Sequence, residues 1–241
     1  MKSNKKKSNV GDNISAKDTN WSFDGNTVFK FDQHIQKSIP YYLAAHEIGL
    51  KVSDFFLRDK TNVYDLGSST GTFLRKLHDR HKNKNLNFYG VDEIKKMIIY
   101  SKKKKKNRKI SFVNNKIEKI NFKKSNFVTS FFTIQFIRPS RRQQVIDKIF
   151  KSLEWGGCFL MFEKVRFPDA RFQDIMSQIY IDFKLDQGFS EIDIINKSKS
   201  LKGVMEPFSS EGNLQLLKRA GFKDIVTVFK YLNFEGFLSI K

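Results

Sequence analysis

Short, almost wholly apolar runs alternate along this chain with longer stretches in which apolar residues return every three or four positions. The first pattern suits strands buried on both faces of a parallel sheet, the second amphipathic helices laid against it. Val63–Leu66, Leu86–Val91, Ile110–Val113, Phe127–Phe132 and Cys158–Phe162 read as such strands. Helices are predicted over Leu43–Phe56, from Thr72 through Leu77, from Glu93 to about Lys102, and over Ser140–Leu153, Asp169–Phe183 and Asn213–Ala220. Pro40 and the pair Tyr41-Tyr42 suit the start of the first of these, Trp155-Gly156-Gly157 the turn that ends the fourth, and Gly221 the stop of the last. Ile225–Leu232 and Phe237–Ile240 read as a terminal hairpin, while the polar stretch Asp186–Gly203 interrupts the alternation as an insertion over a site would. Strands alternating with helices and closed by a hairpin predict a doubly wound α/β sheet, without internal repeat or second domain.

Composition narrows the class. The 241 residues include 25 Phe and are 39% hydrophobic, enough for one well-buried domain. No apolar run reaches the roughly 18–20 residues that span a bilayer, and the basic start MKSNKKKSNVGDN lacks the apolar stretch of a secretory signal. The single cysteine, Cys158, falls in a predicted strand and reads as core. A cytoplasmic setting and no membrane partner are expected. Residues 1–18 read as a disordered basic tail, and residues 19–241 as one domain with a lid at about 20–42 and an insertion at about 184–210. The lid reading rests on Trp21, Phe23, Val28 and Phe29 in the segment Asn20–Phe31.

The formal charge of +20 raises the question of nucleic acid. Lys, Asn, Ile and Phe are all abundant, as AT-rich coding would give without selection for binding. Much of the excess charge also lies in the N-terminal tail and in Lys102–Lys109, between a helix and the next strand. A solvated loop is the first reading of that run and an RNA-contacting patch the second.

Candidate chemistry centres on Thr61–Leu77, a strand, a glycine turn and a helix start. Asp65-x-Gly67-x-x-x-Gly71 has the spacing of the first strand–loop–helix of nucleotide-binding α/β folds, with Ser68 and Ser69 inside the turn. Ser69 stands where the dinucleotide motif has its middle glycine. An acid two residues before the first glycine is instead the pattern of S-adenosylmethionine (SAM) enzymes. Asp92, at the end of the next strand, is placed to accept both ribose hydroxyls of a nucleoside, or else to cap the helix that follows. No Ser–His–Asp or metal-ligand pattern is visible, and in-line transfer from a sulfonium needs neither. His34 is a candidate base beside the lid, though packing is the simpler role. Gln135, Arg138 and Glu163 lie at strand ends where an acceptor would bind, and each has a structural alternative.

YDLGSSTG, the stretch Phe131–Gln143, LEWGGCFLMFEK, Asp182–Glu191 with the GVM that follows, WSFD, SIPYY and the ending YLNFEGFLSIK together resemble the carboxy-S-adenosylmethionine synthases. The likeness runs from about Trp21 to the C-terminus. It implies a Rossmann-like class I methyltransferase fold with a mostly parallel seven-stranded sheet, a homodimer, SAM as cofactor and a small-molecule substrate. Enzymes of that family take a carboxyl group from prephenate and make carboxy-SAM, used in modifying the wobble uridine of certain tRNAs.

Carried over residue by residue, the likeness places Tyr42 near the ligand, Gly67 in the SAM loop and Asp92 on the ribose; Tyr42 also reads as core. Glu93 stands where the family has asparagine, Lys116, beside Ile117, where it has an acid next to the adenine, and Phe131 where it has asparagine. Ser198 falls on the arginine that grips the carboxylate of carboxy-SAM. Serine offers no bidentate cation, leaving Lys197 or Lys199 as point charges. Three functions follow: a SAM-dependent methyl-transferring enzyme on this framework, a true carboxy-SAM synthase rescued by a lysine, and a non-catalytic SAM-fold module that contacts RNA.

Overall fold

In the computed structural model, residues 8–12, 14–16, 21, 23, 27–106 and 108–241 are described. Near the N-terminus β1 (Ser8–Asn9) and β2 (Ser15–Ala16) pair antiparallel. α1 (Thr27–Ser38) and α2 (Tyr42–Phe56) follow, then β3 (Asn62–Leu66), α3 (Thr72–Arg80), β4 (Asn87–Asp92), α4 (Lys95–Lys104), β5 (Ile110–Asn114) and β6 (Ser125–Phe131). The rest is α5 (Pro139–Ser152), β7 (Leu153–Lys164), α6 (Ala170–Asp186), α7 (Glu191–Leu201), α8 (Ser210–Ala220), β8 (Asp224–Tyr231) and β9 (Phe234–Ile240).

Seven strands form the main sheet in the order β5-β4-β3-β6-β7-β9-β8. The first five run parallel; β9 lies antiparallel against β7, and β8 against β9. The fold is thus the Rossmann-like, mostly parallel seven-stranded sheet with a C-terminal antiparallel hairpin. Successive residues of each central strand point to opposite faces, which splits the apolar runs between two cores. Val63, Phe127, Leu160 and Phe162 join Leu50 of α2 and Phe73, Leu74 and Leu77 of α3. Their neighbours Tyr64, Val128, Phe159 and Met161 join Val145, Ile146 and Ile149 of α5 and Leu216 and Leu217 of α8. Helices on both faces explain why these strands read as continuous apolar runs.

Several expectations need correction. The turn predicted at residues 155–157 lies inside β7: α5 stops at Ser152, and Leu153 already pairs with Ser125. Gly156 adopts φ +76 within the strand, beside a register shift between Ser125 and Phe127. Here the glycines serve a bulge. The stretch around residue 191, read as a polar insertion, holds helix α7, begun by a reciprocal capping box between Ser190 and Asp193. In the tail expected to be disordered, residues 1–7, 13, 17 and 18 lie outside the described residues. Val10 and Ile14, however, are buried with Trp21 against Leu201 and Val204, because this ribbon packs on α7. In the expected lid, residues 20, 22 and 24–26 likewise lie outside the described residues, and 27–38 form α1.

Candidate functional site

The strand order turns back on itself between β3 and β6, since β4 and β5 extend to one side and β7 to the other. Ligands of open α/β sheets sit in the crevice beyond the strand ends at such a point. Here a cavity of about 1300 Å³ opens, floored by the ends of β3, β4 and β6 and walled by α1, α2, α6 and α7.

The loop after β3 is shaped by its glycines. Gly67 (φ +72) and Gly71 (φ +74) occupy the left-handed region, as does Ser69 (φ +47). Gly67 N and Ser68 N both donate to Val91 O, at 2.8 and 3.0 Å, which bends the chain back over β4. A Cβ on Gly67 would run into Thr133 of the neighbouring loop. Gly71 does not line the cavity; it caps α3 and lies against Phe112, so its role is the turn and close packing. The loop is fastened from above as well: Thr70 Oγ1 and Thr72 Oγ1 donate to the two carboxylate oxygens of Asp32 on α1, at 2.6 and 3.0 Å.

Asp92 holds the same loop from below. Its Oδ2 accepts Ser69 N at 2.9 Å and its Oδ1 accepts Ile94 N at 2.8 Å. Asp92 lines the cavity, and its bond to Ile94 N orders the turn before α4 without capping the helix, whose cap residue is Ile94 itself. Burial pushes Asp92 up to about 6, against the pull of the two N–H donors. Burial likewise pushes Asp65, which accepts Thr129 Oγ1 at 2.9 Å, up to about 7. Ser68 Oγ lines the cavity and is buried without a hydrogen-bond partner. Two carboxylates and an orphaned hydroxyl around a glycine bend fit the ammonium, ribose and carboxylate groups of SAM.

Tyr42, Ile117, Glu93, Lys116 and Phe131 also line the cavity. Burial, then Asp32 and Asp65, raises the Tyr42 hydroxyl far above its usual range, so it stays protonated. Glu93 and Lys116 are exposed and face one another at 3.9 Å. Phe131 belongs to an aromatic cluster, with ring centroids 4.6 Å from Phe73, 4.7 Å from His46 and 5.0 Å from Phe162.

On the α7 wall the three neighbouring candidates separate. Ser198 and Lys199 are exposed residues of the cavity rim. The Lys197 ammonium instead turns inward, donating to His34 Nε2 and, at 2.9 Å, to Ser38 Oγ, and lying 5.1 Å from the Trp21 ring. With Nε2 accepting, His34 Nδ1 is the protonated nitrogen, 2.7 Å from Asp12 Oδ2. Burial first and Lys197 second push His34 down to about 4, so it is neutral and already engaged on both nitrogens; a free base is not what this geometry offers. Glu163 is a loop brace: its carboxylate accepts the backbone N–H groups of Thr133, Ile134 and Gln135 at 2.8–3.1 Å. Gln135 is spent on Phe132 O and Lys164 N, whereas Arg138 is an exposed residue of the cavity rim.

Asp32, Lys164 and Lys184 were not singled out in the sequence. A helical spacing from Gln173 through Ser177 and Tyr180 to Lys184 is the one signal that places polar residues on a single face of α6. Asp32 and Lys164 meet their partners only through the tertiary fold.

The fold and the site define a SAM-dependent transferase of the class I methyltransferase type. The methyltransferase domain family matches residues 63–157. Among solved structures, the plantazolicin methyltransferase BpumL with S-adenosylhomocysteine (SAH) superposes with TM-score 0.62 at 11% identity, covering 89% of each chain. A SAM-dependent methyltransferase from Thermotoga maritima superposes with TM-score 0.55 at 16% identity, covering 88% of this chain and 95% of that one. At such identities the likeness speaks for the fold. Sequence relatives are nearer: carboxy-S-adenosyl-L-methionine synthases of Staphylococcus epidermidis, 36% identical over 92% of this chain and 97% of that one, and of Campylobacter lari, 34% identical over 92% and 94%. The chain belongs to the carboxy-S-adenosyl-L-methionine synthase family.

Proposed function

We propose that the protein binds SAM in the β3–β6 crevice and carboxylates it, as the names of its relatives imply, with Lys197 in place of the arginine expected at Ser198. One observation carries this reading: an inward-turned ammonium one residue from that position, on the cavity wall. Burial, with Lys184 a further contributor, brings Lys197 down to about 7. An arriving carboxylate would restore its charge, and a point cation is sufficient for attraction though not for a bidentate grip. The second substrate, prephenate by the resemblance, would release its carboxyl group as CO2 as its ring becomes aromatic and expels hydroxide. The hydroxide would take a proton from the sulfonium methyl to give water, and the carbon so deprotonated would bond the CO2. On the same basis the product would serve tRNA wobble-uridine modification, and the protein would act as a cytoplasmic homodimer.

The missing arginine favours a second reading, direct methyl transfer from unmodified SAM, for which orientation in the crevice is the main catalytic resource. Mass analysis of the small molecule released from purified protein separates the two. Carboxy-SAM is expected, and its loss in Lys197→Met with SAM retained would assign the cation. Release of SAM or SAH alone, with no carboxy-SAM formed when prephenate is supplied, would overturn the first reading. Lys197→Arg provides the folding control.

A further inference from the structure

α6 contains no fully buried residue, yet Gln173, Ser177, Tyr180 and Lys184 all face the cavity. Its cavity face is therefore a wall built for something other than the protein core. Tyr180 is fixed there by its hydroxyl, which donates to Ser38 O at 2.7 Å. Two ammonium groups lie against this one ring: Lys164 Nζ at 4.3 Å from the centroid, from the end of β7, and Lys184 Nζ at 4.6 Å, from the next turn of α6. A ring quadrupole attracts each cation, but it does not neutralise two of them.

Among the described residues no carboxylate pairs with either lysine. The nearby charges on Lys164 are Lys184 and Lys202, both of the same sign, and with burial they bring it down to about 7; burial brings Lys184 to about 8. The same wall carries Asn233, buried, with Oδ1 unpartnered. Beside it the Phe234 ring lies 5.3 Å from Tyr180. Lys164 and Lys184 are half-buried, and a buried polar atom such as Asn233 Oδ1 is ordinarily bonded. Here cations and an amide oxygen are left open around two aromatic rings inclined at 66° to one another.

We infer that Lys164 and Lys184, set on Tyr180, form a second compartment of the cavity that binds a carboxylate of the co-substrate, whose apolar body lies in the angle between the Tyr180 and Phe234 rings. This rests on the reading that a second small molecule reacts with the bound nucleoside. The compartment selects for charge and for an apolar ring, and its acceptor at Asn233 suits a hydroxyl on the same molecule. Lys164 and Lys184 are thus specificity-determining residues at a different wall from the glycine loop and Asp92.

The test titrates the full-length protein, by calorimetry and by ligand-observed NMR, with isophthalate, benzoate and benzamide as probes and with SAH as a separate ligand. Isophthalate is expected to bind, benzoate more weakly and benzamide not at all. Lys164→Met and Lys184→Met should each weaken isophthalate about tenfold or more, the loss of one charge-assisted contact. Lys164→Arg and Lys184→Arg, which keep the charge, should retain most of the affinity, and SAH should still bind the Met variants, which shows that they fold. Isophthalate binding that is absent from the wild-type protein, or unchanged in both Met variants, overturns the inference. Lysine-dependent isophthalate binding in a protein that takes up no SAH would instead support the compartment and overturn the nucleoside reading.

Discussion

Asp92→Asn separates support of the fold from recognition of the nucleoside. The carboxylate makes two backbone hydrogen bonds, to Ser69 N and Ile94 N, and the amide keeps only one acceptor for them. With those two bonds already counted, burial leaves the carboxyl at about 6 against 3.8, so keeping it ionised at pH 7 costs about 3 kcal/mol relative to the neutral acid. The amide escapes that cost and gives up one neutral bond of about 1 kcal/mol. Without ligand the variant should therefore melt no lower than the wild type and up to about 8 °C higher, given roughly 2–4 °C per kcal/mol in a chain of this size.

Ligand binding has no such compensation. Two ribose hydroxyls donating to a carboxylate lose about 1–2 kcal/mol each when the partner is an amide, so SAH affinity should fall by roughly 30- to 700-fold. Calorimetric titration of SAH, beside the melts, reads both quantities on one preparation. The pH profile follows from the same group. Because its folded value is raised, its contribution to stability is present below about pH 4 and is lost as pH rises through about 6. SAH affinity runs the other way, falling as pH drops below about 6 and the carboxyl takes up a proton. Unchanged SAH affinity in Asp92→Asn would refute this reasoning and reduce Asp92 to a brace of its own loop.

Gly67→Ala should destabilise the fold by about 2–4 kcal/mol in chemical denaturation, from its positive φ and from the Thr133 side chain its Cβ meets; Thr133→Ala in the same chain should recover part of that loss. Cys158 is fully buried in β7, and burial raises its thiol well above the usual range. A thiol reagent should therefore label it only at the rate of unfolding, and fast labelling of native protein would contradict its place in the core. A double-mutant cycle on Glu93 and Lys116, each to Ala, should return a coupling no larger than about 0.5 kcal/mol, since both groups are exposed.

The central sheet was legible because its strands are buried on both faces and their apolar runs leave little ambiguity. The glycine loop was legible for a related reason, since positive φ at Gly67 and Gly71 narrows the residues that fit. Where one residue type serves two local structures, the reading failed. Gly156-Gly157 suits a helix stop as well as a strand bulge, and only pairing with Ser125 decides between them. The polar residues of α7 hid a helix whose inward face amounts to Ile194, Lys197 and Ser200, too narrow a stripe to stand out from the sequence. Asp32 and Lys164 had no local signature at all, because what they touch lies 38 and 16 residues away, at Thr70 and Tyr180.

The departures from the family pattern are arranged in space rather than scattered. The resemblance implies an acid at 116 and an amide at 93; the chain instead carries the acid at 93 and a lysine at 116, side by side on the rim. A carboxylate therefore remains on this part of the rim, carried just after β4 instead of β5, with Lys116 3.9 Å from it. At 131 the expected amide is replaced by a ring that packs at an angle against His46 and Phe73, so that wall is filled rather than left with an unpaired polar group. At 198 the expected cation is absent, yet an ammonium stands one residue earlier, held inward by His34 and Ser38. In the two charged cases a group of the same charge lies within one residue or one strand of where the pattern puts it. A lysine in place of an arginine offers a point charge where the guanidinium would offer a bidentate fork.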